Sequence, residues 1–196
     1  ADFFHAHPAL KLVASRSSAV DHLDLEVAQK AGVILVHVPD YGAVTVAEHT
    51  FALMLGVARR LRQCLETKNH GRGATERLRG QELRGKTLGV VGTGRVGRMV
   101  IPIARAFGLR CLAYDKEVDE ALAEKLHFDY RGLEALLQSS DIITLHVPLT
   151  PSTRQLLGAR RLAMCKPGFV LINTARGALV DIEALLEGLK TGPVGG

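Results

Sequence analysis

The sequence predicts an α/β protein whose core is a parallel sheet covered by helices on both faces. The first observation behind this prediction is that, from Lys86 onward, strongly apolar strand-like runs alternate with helical patterns, which is typical of a parallel sheet. The strand-like runs cover residues 87–91, 109–114, 142–147 and 169–173. The helical patterns that separate or follow them cover residues 95–107, 119–126, 133–137 and 181–190.

The second observation is a composition typical of a soluble globular protein. Of the 196 residues, 47% are hydrophobic and 23% are charged, which provides enough apolar surface for one substantial core. The formal net charge is +5, but the basic residues are spread along the chain, Trp is absent and only 5% of the residues are aromatic. A base-stacking platform is therefore not favoured, and we expect no nucleic-acid partner.

The cysteines and the apolar runs bear on the cellular setting. Cys64, Cys111 and Cys165 form neither a C-x-x-C pair nor a metal-ligand cluster with histidines, so we expect a reduced, cytoplasmic protein without a bound metal. No stretch approaches the roughly 20 apolar residues of a membrane span, and the first ten residues do not form a signal peptide. We therefore expect no membrane partner.

The first elements form a β-α-β unit. Residues 10–15 are a short apolar run, residues 23–30 have helical spacing that ends at Gly32, and residues 33–38 are a second β-rich run. A turn at 39–42 follows.

A long helix is predicted after this turn. Thr45 and Glu48 have the spacing of a capping box, which predicts that the helix begins there and runs to about Asn69. Its apolar residues are too many for one solvent-facing helix, so it packs either on two sides or in a subunit interface. These residues are Val46, Phe51, Leu53, Met54, Val57, Leu61 and Leu65.

A glycine-rich loop follows the strand-like run TLGVV and leads directly into a helical pattern. In this context Gly92 permits a tight turn, Gly94 lets the backbone approach a pyrophosphate, and Gly97 allows close packing of helix and strand. The helix N-terminus supplies amides and the positive end of its dipole. The alternative interpretation is a glycine turn needed only for packing, but the strand and helix around the motif favour a Rossmann-type, doubly wound dinucleotide fold.

An acidic residue completes this motif. The next strand-like run ends at Asp115, eighteen residues past Gly97, where a carboxylate would accept hydrogen bonds from the ribose hydroxyls and repel a 2'-phosphate. The sequence therefore predicts NAD rather than NADP as the cofactor. Lys116, the next residue, is a cation that could weaken this discrimination or could simply be solvated.

Several segments carry a family resemblance that spans nearly the whole chain. They are the glycine loop and residues 16–24 (RSSAVDHLD), 38–41 (VPDY), 46–49 (VAEH), 140–150 (SDIITLHVPLT) and 173–181 (NTARGALVD). In order and spacing they resemble the D-isomer-specific 2-hydroxyacid dehydrogenases. Tyr41 and the run VAEHTFALML resemble the D-lactate dehydrogenase side of that family most.

The resemblance implies a set of cofactor-binding positions. Arg95 and Val96 would contact the pyrophosphate, and Asp115 would hold the ribose. Thr174 and Ala175 would flank the nicotinamide. The remaining pocket-lining positions would be His146, Val147, Pro148 and Thr153. We interpret His146, like His49, as a structural or cofactor-lining residue and not as a base or metal ligand.

Arg176 is implied to be the catalytic arginine. Its planar, permanently charged guanidinium can hold a substrate carboxylate and polarise the keto oxygen as hydride arrives. The alternative is an arginine that pairs structurally with a carboxylate.

The resemblance also implies substrate-binding positions in the N-terminal part of the chain. A backbone loop at Ser18 and Ala19 would bind the substrate carboxylate, although the family usually has glycine where Ala19 stands. If that backbone needs a positive φ, alanine costs about 1 kcal/mol or more. Tyr41 would reach the substrate or, alternatively, bury its ring to anchor the crossing between the domains.

The implied domain organisation is a partial substrate domain of flavodoxin-like α/β type at residues 1–42 and an NAD-binding domain at 43–196. The implied function is hydride transfer between NAD and a small 2-hydroxy or 2-keto acid in a homodimer. In the family the proton is handled by a histidine oriented by a glutamate, both downstream of a segment like the last residues here, and none of the eight histidines occupies that position. We therefore expect a fragment that does not turn over alone.

Two other functions fit the same fold. One is a non-catalytic module that senses NAD and recruits partners, as the corepressors of the wider family do. The other is a dehydrogenase of the formate or phosphite type from the same superfamily.

Overall fold

The computed structural model describes residues 2–18, 20–39, 41–67, 79–192 and 194–196. The chain divides into two compact units, Ala1–Ala43 and Val44–Gly196. The assignment of the first as part of a substrate domain stays a prediction.

The first unit contains the predicted β-α-β arrangement. It consists of α1 (Asp2–Ala6), β1 (Leu12–Ala14), α2 (Leu25–Lys30) and β2 (Ile34–Val36). The two strands are parallel, with Val13 opposite Leu35. Asp24 caps α2 by accepting a hydrogen bond from the amide of Val27 at 3.0 Å, and Gly32, at φ +70°, turns the chain after the helix.

The predicted long helix is two helices, and this is a correction. The first, α3 (Ala43–Ala58), begins before the predicted capping box, so Thr45 lies inside the helix and does not cap it. Gly42, at φ +84°, ends the preceding turn and lets the helix begin at once. Arg60 adopts a left-handed conformation at φ +50°, which ends the first helical run before α4 (Leu61–Thr67). The predicted end at Asn69 lies outside the described residues.

The second unit contains a five-stranded sheet. Its elements are β3 (Thr87–Val91), α5 (Arg95–Ala106), β4 (Arg110–Tyr114), α6 (Glu120–Leu126), β5 (Asp129–Tyr130), α7 (Leu133–Ser139), β6 (Ile142–Leu145), α8 (Ala159–Leu162), β7 (Val170–Asn173) and α9 (Ile182–Thr191). The strand order is β5-β4-β3-β6-β7 and every pair is parallel. This is the order of a Rossmann-type sheet, in which successive strands are added to one side of β3 and then, from β6 on, to its other side. The predicted fold class is confirmed.

Helices cover both faces of this sheet. Successive residues of β3 point to opposite faces, so Leu88 and Val90 belong to the hydrophobic cluster that includes α5, while Val91 belongs to the cluster that includes α7. Gly89 permits the close approach of α7, because a Cβ at this position would lie only 2.6 Å from Cδ2 of Leu136. The sheet is therefore buried on both sides, as its apolar runs predict.

None of the helices in the described ranges combines the length and apolar character needed to cross a membrane. Within the same ranges, no three or more His, Cys, Asp or Glu side chains are grouped so that they could hold a metal ion.

Candidate functional site

The carboxyl ends of four strands lie side by side. Their last residues are paired across the sheet in the order Tyr114, Val91, Leu145 and Asn173. The residues that follow therefore leave the sheet at one edge, in the order Asp115, Gly92, His146 and Thr174. Neighbouring strands are about 4.8 Å apart, so these four positions form one row at the point where the strand order reverses. Ligands of open α/β sheets bind at this point.

Two glycines of the loop are required by packing. Gly92 has a φ of +102°, and a Cβ there would lie 2.8 Å from the backbone carbonyl of His146. A Cβ at Gly97 would overlap the carbonyl oxygen of Gly92. The tight turn and the close approach of α5 to the loop thus both depend on the absence of a side chain.

The third glycine faces open space. A Cβ at Gly94 would have no neighbour within 4 Å, so protein packing does not require glycine here. Gly94 is the N-cap of α5, and no side chain caps this helix. Because the first amides of a helix have no acceptor within it, Arg95 and Val96 lie where an anion would be bound. The cradle therefore fits the pyrophosphate of a dinucleotide.

Asp115 is held by the same loop. Its Oδ2 accepts hydrogen bonds from Thr93 N at 2.6 Å and from Thr93 Oγ1 at 3.0 Å, and its Oδ1 accepts one from Glu117 N at 3.3 Å. Burial alone would raise the pKa of Asp115, but the hydrogen bonds from Thr93 and Glu117 outweigh it and hold that pKa below its ordinary value. Lys116 donates from Nζ to Oγ of Ser152 at 2.9 Å, so its ammonium has a partner in the loop after β6.

His146 is a neutral residue at the end of β6. Burial lowers its pKa to about 4, and its Nε2 lies 2.9 Å from Oγ1 of Thr144. Its backbone amide donates to the carbonyl of Val91 at 2.7 Å, which joins the ends of β6 and β3. These contacts agree with a structural or cofactor-lining role.

Thr153 shapes the loop that carries Val147 and Pro148. Its buried hydroxyl donates to the carbonyl of Pro148 at 2.6 Å and accepts from the amide of Thr150 at 2.8 Å. The hydroxyl of Thr153 therefore already has hydrogen-bond partners within the loop. The contact of Thr153 with the cofactor stays a prediction.

Thr174 links β7 to α3. The hydroxyl of Thr50 donates to the carbonyl of Val46 at 2.8 Å, and its oxygen lies 3.0 Å from that of Thr174. Because the hydroxyl of Thr50 has a single proton, Thr174 is the donor in this second contact. An open cavity of about 410 Å³ lies here and is lined by Thr45, Val46, His49, Leu53, Asn173, Thr174 and Ala175.

Asn173 fixes the backbone around Arg176. Its Nδ2 donates to the carbonyl of Arg176 at 2.8 Å, and its Oδ1 accepts from the amide of Ala175 at 3.0 Å. Arg176 is half-buried, and its Nη1 donates to the carbonyl of Ala175 at 2.9 Å. Asn173 was not among the predicted site residues, although an asparagine at a strand end commonly forms such a turn.

The predicted substrate positions lie in the first unit. The backbone carbonyl of Ser18 accepts a hydrogen bond from Nδ1 of His37 at 3.0 Å, whereas Ala19 lies outside the described residues. Tyr41 is 66% exposed. The roles of Ser18, Ala19 and Tyr41 in substrate binding stay predictions.

Comparison with known proteins agrees with this geometry. The model of the D-isomer specific 2-hydroxyacid dehydrogenase NAD-binding domain matches residues 51–196. D-3-phosphoglycerate dehydrogenase of Methanocaldococcus jannaschii is 41% identical over 94% of this chain and 36% of its own length. Hydroxypyruvate reductase of Thermotoga maritima is 38% identical over 99% of this chain and 62% of its own length.

A solved structure shows the same similarity. D-lactate dehydrogenase from Aquifex aeolicus, complexed with NAD and lactic acid, has a TM-score of 0.89 and 39% identity, covering 100% of this chain and 59% of that one. The present chain thus spans less than two thirds of these three relatives. The prediction of NAD as the cofactor is confirmed by the matched domain model. The fold, the row of residues at the strand ends and the match over residues 51–196 together show that the chain belongs to the D-isomer specific 2-hydroxyacid dehydrogenase family.

Proposed function

We propose that this chain serves an NAD-dependent oxidoreductase that interconverts a small D-2-hydroxy acid, such as D-lactate, and its 2-keto acid. The single observation that carries the proposal is the position of Arg176, three residues after the end of β7 and in a backbone turn fixed by Asn173. This turn lies at the edge where the glycine loop also begins, so the arginine belongs to the same crevice as the cofactor cradle.

The cofactor half of the site runs along the row of strand ends. Asp115 accepts the ribose hydroxyls, the amides of Arg95 and Val96 hold the pyrophosphate, and Thr174 and Ala175 flank the nicotinamide. When bound, NAD supplies the hydride acceptor or donor for the reaction. Val147 and Pro148 follow His146 in the loop after β6, which Thr153 holds in shape, and line the pocket beside this row.

The substrate half of the site depends on Arg176. Its guanidinium forms charge-assisted, bidentate hydrogen bonds with a carboxylate and stabilises the negative charge that develops on the substrate oxygen. A neutral or singly hydrogen-bonding side chain cannot replace both functions. The described residues of this chain thus orient the substrate and stabilise its charge during hydride transfer.

Reduction of a 2-keto acid also requires a proton, which must come from a group that titrates near neutral pH. His146 lies at the crevice edge, but burial lowers its pKa to about 4, so at pH 7 it is neutral and lacks the imidazolium form that acts as a general acid. We therefore propose that the proton is handled by the histidine and glutamate that the family resemblance implies, and not by His146.

Cofactor binding is tested by calorimetric titration of the chain with NADH. Substituting Gly94→Ala places a methyl group where the pyrophosphate approaches, and we expect NADH affinity to fall at least tenfold with little change in stability. Gly132→Ala is a matched control, because Gly132 is also the N-cap of a helix with open space around it. Equal NADH affinity in the two variants would argue against a cofactor at α5.

Substrate recognition is tested with oxamate, a non-reacting analogue of pyruvate, titrated into the NADH complex. Arg176→Gln should abolish oxamate binding and leave NADH affinity within about threefold of that of the unsubstituted chain, since loss of a bidentate charge pair costs several kcal/mol. Arg131→Gln, at an exposed arginine after β5, is the control. NADH binding without oxamate binding in the unsubstituted chain would favour the NAD-sensing module instead.

Turnover separates the remaining alternatives. NADH oxidation is measured with pyruvate, glyoxylate and hydroxypyruvate, and NAD reduction with D-lactate, formate and phosphite. Family-like turnover of 2-keto acids by the 196-residue chain would refute the proposal that a further proton donor is needed. Turnover of formate or phosphite alone would replace the 2-hydroxy acid by that substrate.

A further inference from the structure

Asp115 is the end of a chain of three hydrogen-bonded side chains. Thr93, the residue between the first two glycines of the loop, is 4% exposed and donates to Oδ2 of Asp115 from both its amide and its hydroxyl. The hydroxyl oxygens of Thr93 and Tyr130 are 2.9 Å apart. Neither Thr93 nor Tyr130 has a role in the sequence motif, yet Thr93 contacts the carboxylate and Tyr130 contacts Thr93.

The directions of these hydrogen bonds follow from the proton inventory. An ionised carboxylate only accepts, so Thr93 donates its single hydroxyl proton to Asp115. The oxygen of Thr93 must then accept from the hydroxyl of Tyr130. The result is a one-way relay from Tyr130 through Thr93 to Asp115, in which each hydrogen bond polarises and strengthens the next.

Strand pairing and ring packing fix the far end of the relay. Tyr130 lies on β5 and pairs with Ala113, two residues before Asp115 on β4. Its ring contacts that of Phe128 edge-to-face, with centroids 4.9 Å apart. The hydroxyl of Tyr130 is therefore placed by the sheet itself and does not depend on a bound ligand.

The relay leaves the two carboxylate oxygens in different states. Oδ2 receives both hydrogen bonds from Thr93, whereas Oδ1 receives a longer one, at 3.3 Å, from Glu117 N. This arrangement fixes the plane of the carboxylate and leaves acceptor capacity at Oδ1. We infer that Thr93 and Tyr130 are positioning residues that set cofactor specificity by holding Asp115 where it accepts ribose hydroxyls and repels a 2'-phosphate.

The inference rests on the proposed role of Asp115 and adds a consequence of its own. A carboxylate that is free to rotate forms weaker hydrogen bonds with the ribose of NADH. It can also rotate away from the 2'-phosphate of NADPH, which reduces their repulsion. Loosening the relay should therefore weaken NADH binding while leaving NADPH binding unchanged or stronger. General damage to the fold would instead weaken both cofactors by the same factor.

The test is calorimetric titration of the 196-residue chain and its variants with NADH and with NADPH. Thr93→Val keeps the shape and the amide but removes the hydroxyl, and we expect NADH affinity to fall about tenfold and the NADPH-to-NADH Kd ratio to fall at least tenfold. Tyr130→Phe should lower that ratio about threefold. Thr93→Ser retains the hydroxyl and should keep the ratio within threefold of the unsubstituted chain.

The Asp115→Asn variant tests the role of Asp115 separately from that of the relay. If it binds NADH as well as the unsubstituted chain does, the role of Asp115 fails and the relay has nothing to position. If Asp115→Asn weakens NADH but Thr93→Val and Tyr130→Phe leave the Kd ratio unchanged, the relay alone is refuted. Support requires a lower ratio in both relay variants and no further effect of Thr93→Val when it is combined with Asp115→Asn.

Discussion

Burial lowers the pKa of His146 to about 4 from an ordinary value of 6.5. In the unfolded chain the imidazole takes up a proton as the pH falls through 6.5, whereas in the folded chain it stays neutral until about pH 4. Between these values the unfolded state binds more protons, so folding stability falls as the pH falls. Across the whole window this one group accounts for a loss of about 3 kcal/mol.

Replacing His146 should therefore flatten the pH dependence of stability. We expect His146→Gln to reduce the difference in unfolding free energy between pH 7 and pH 4.5 by about 2 kcal/mol, measured by urea denaturation. His22→Gln, at an exposed histidine of the first unit, is the control and should keep the difference found in the unsubstituted chain. An unchanged difference in His146→Gln would mean that His146 is not buried in the neutral form.

At the scale of single residues, motif and chemistry identify only part of the site. Gly92, Gly94, Gly97 and Asp115 follow from the spacing of one motif, because their roles depend on the local turn and the strand that follows. Thr93 and Tyr130 could not be found this way. Their roles arise from side-chain hydrogen bonds, and the bond of Thr93 to Tyr130 spans 37 residues, which no local pattern encodes.

The packing of α7 on β3 depends on a glycine in the middle of a strand. A Cβ at Gly89 would lie 2.6 Å from Cδ2 of Leu136 and would overlap Oγ of Ser140. Ser140 is fully buried and donates to the carbonyl of Leu136 at 2.6 Å, so it cannot move aside without breaking that bond. Only a glycine allows the two elements to approach this closely.

Gly89→Ala should therefore destabilise the second unit although alanine is the better residue for buried apolar surface. We expect a loss of about 2 kcal/mol in the free energy of unfolding, measured by urea denaturation, because the added methyl group overpacks a filled core. Gly132→Ala, which adds the same methyl group in open space at the start of α7, should change stability by less than about 0.5 kcal/mol. Equal stability of the two variants would contradict the close packing.

The accuracy of the sequence predictions for elements follows their length and periodicity. β3 was predicted with its observed bounds because it is a continuous apolar run, and α5 to within one residue because its apolar residues recur with a helical period. α8 and β5, with four and two residues, are too short to show a period, and neither was predicted. The break between α3 and α4 falls at Arg60 in a left-handed conformation, and no glycine or proline marks it in the sequence.

For the whole molecule, we propose that α3 and α4 form a homodimer contact. Their buried residues lie on one side of α3, while several apolar side chains elsewhere on the two helices are 38–73% exposed: Val44, Leu53, Val57, Leu61 and Leu65. The two predicted alternatives, packing on two sides and a subunit interface, both stay predictions. Exposed apolar groups of this kind are typical of an interface.

Light scattering should give a mass near twice the 21.1 kDa of one chain. Leu65→Glu should shift this mass toward that of one chain, since it places a charge in the apolar contact. Leu189→Glu, at a half-exposed leucine of α9, is the control and should leave the mass unchanged. A one-chain mass for the unsubstituted protein at micromolar concentration would contradict the dimer.

The contact between Gly97 and the carbonyl of Gly92 joins the first turn of α5 to the phosphate loop with no room between them. The loop therefore acquires its shape when the sheet forms, and little further ordering remains for the moment when the dinucleotide arrives. By mutual linkage, NADH should raise the melting temperature of the second unit, by an amount that grows with the logarithm of the NADH concentration relative to its Kd. A destabilising substitution in β3 far from the crevice should then also weaken cofactor binding, because the cradle and the core are one preorganised body.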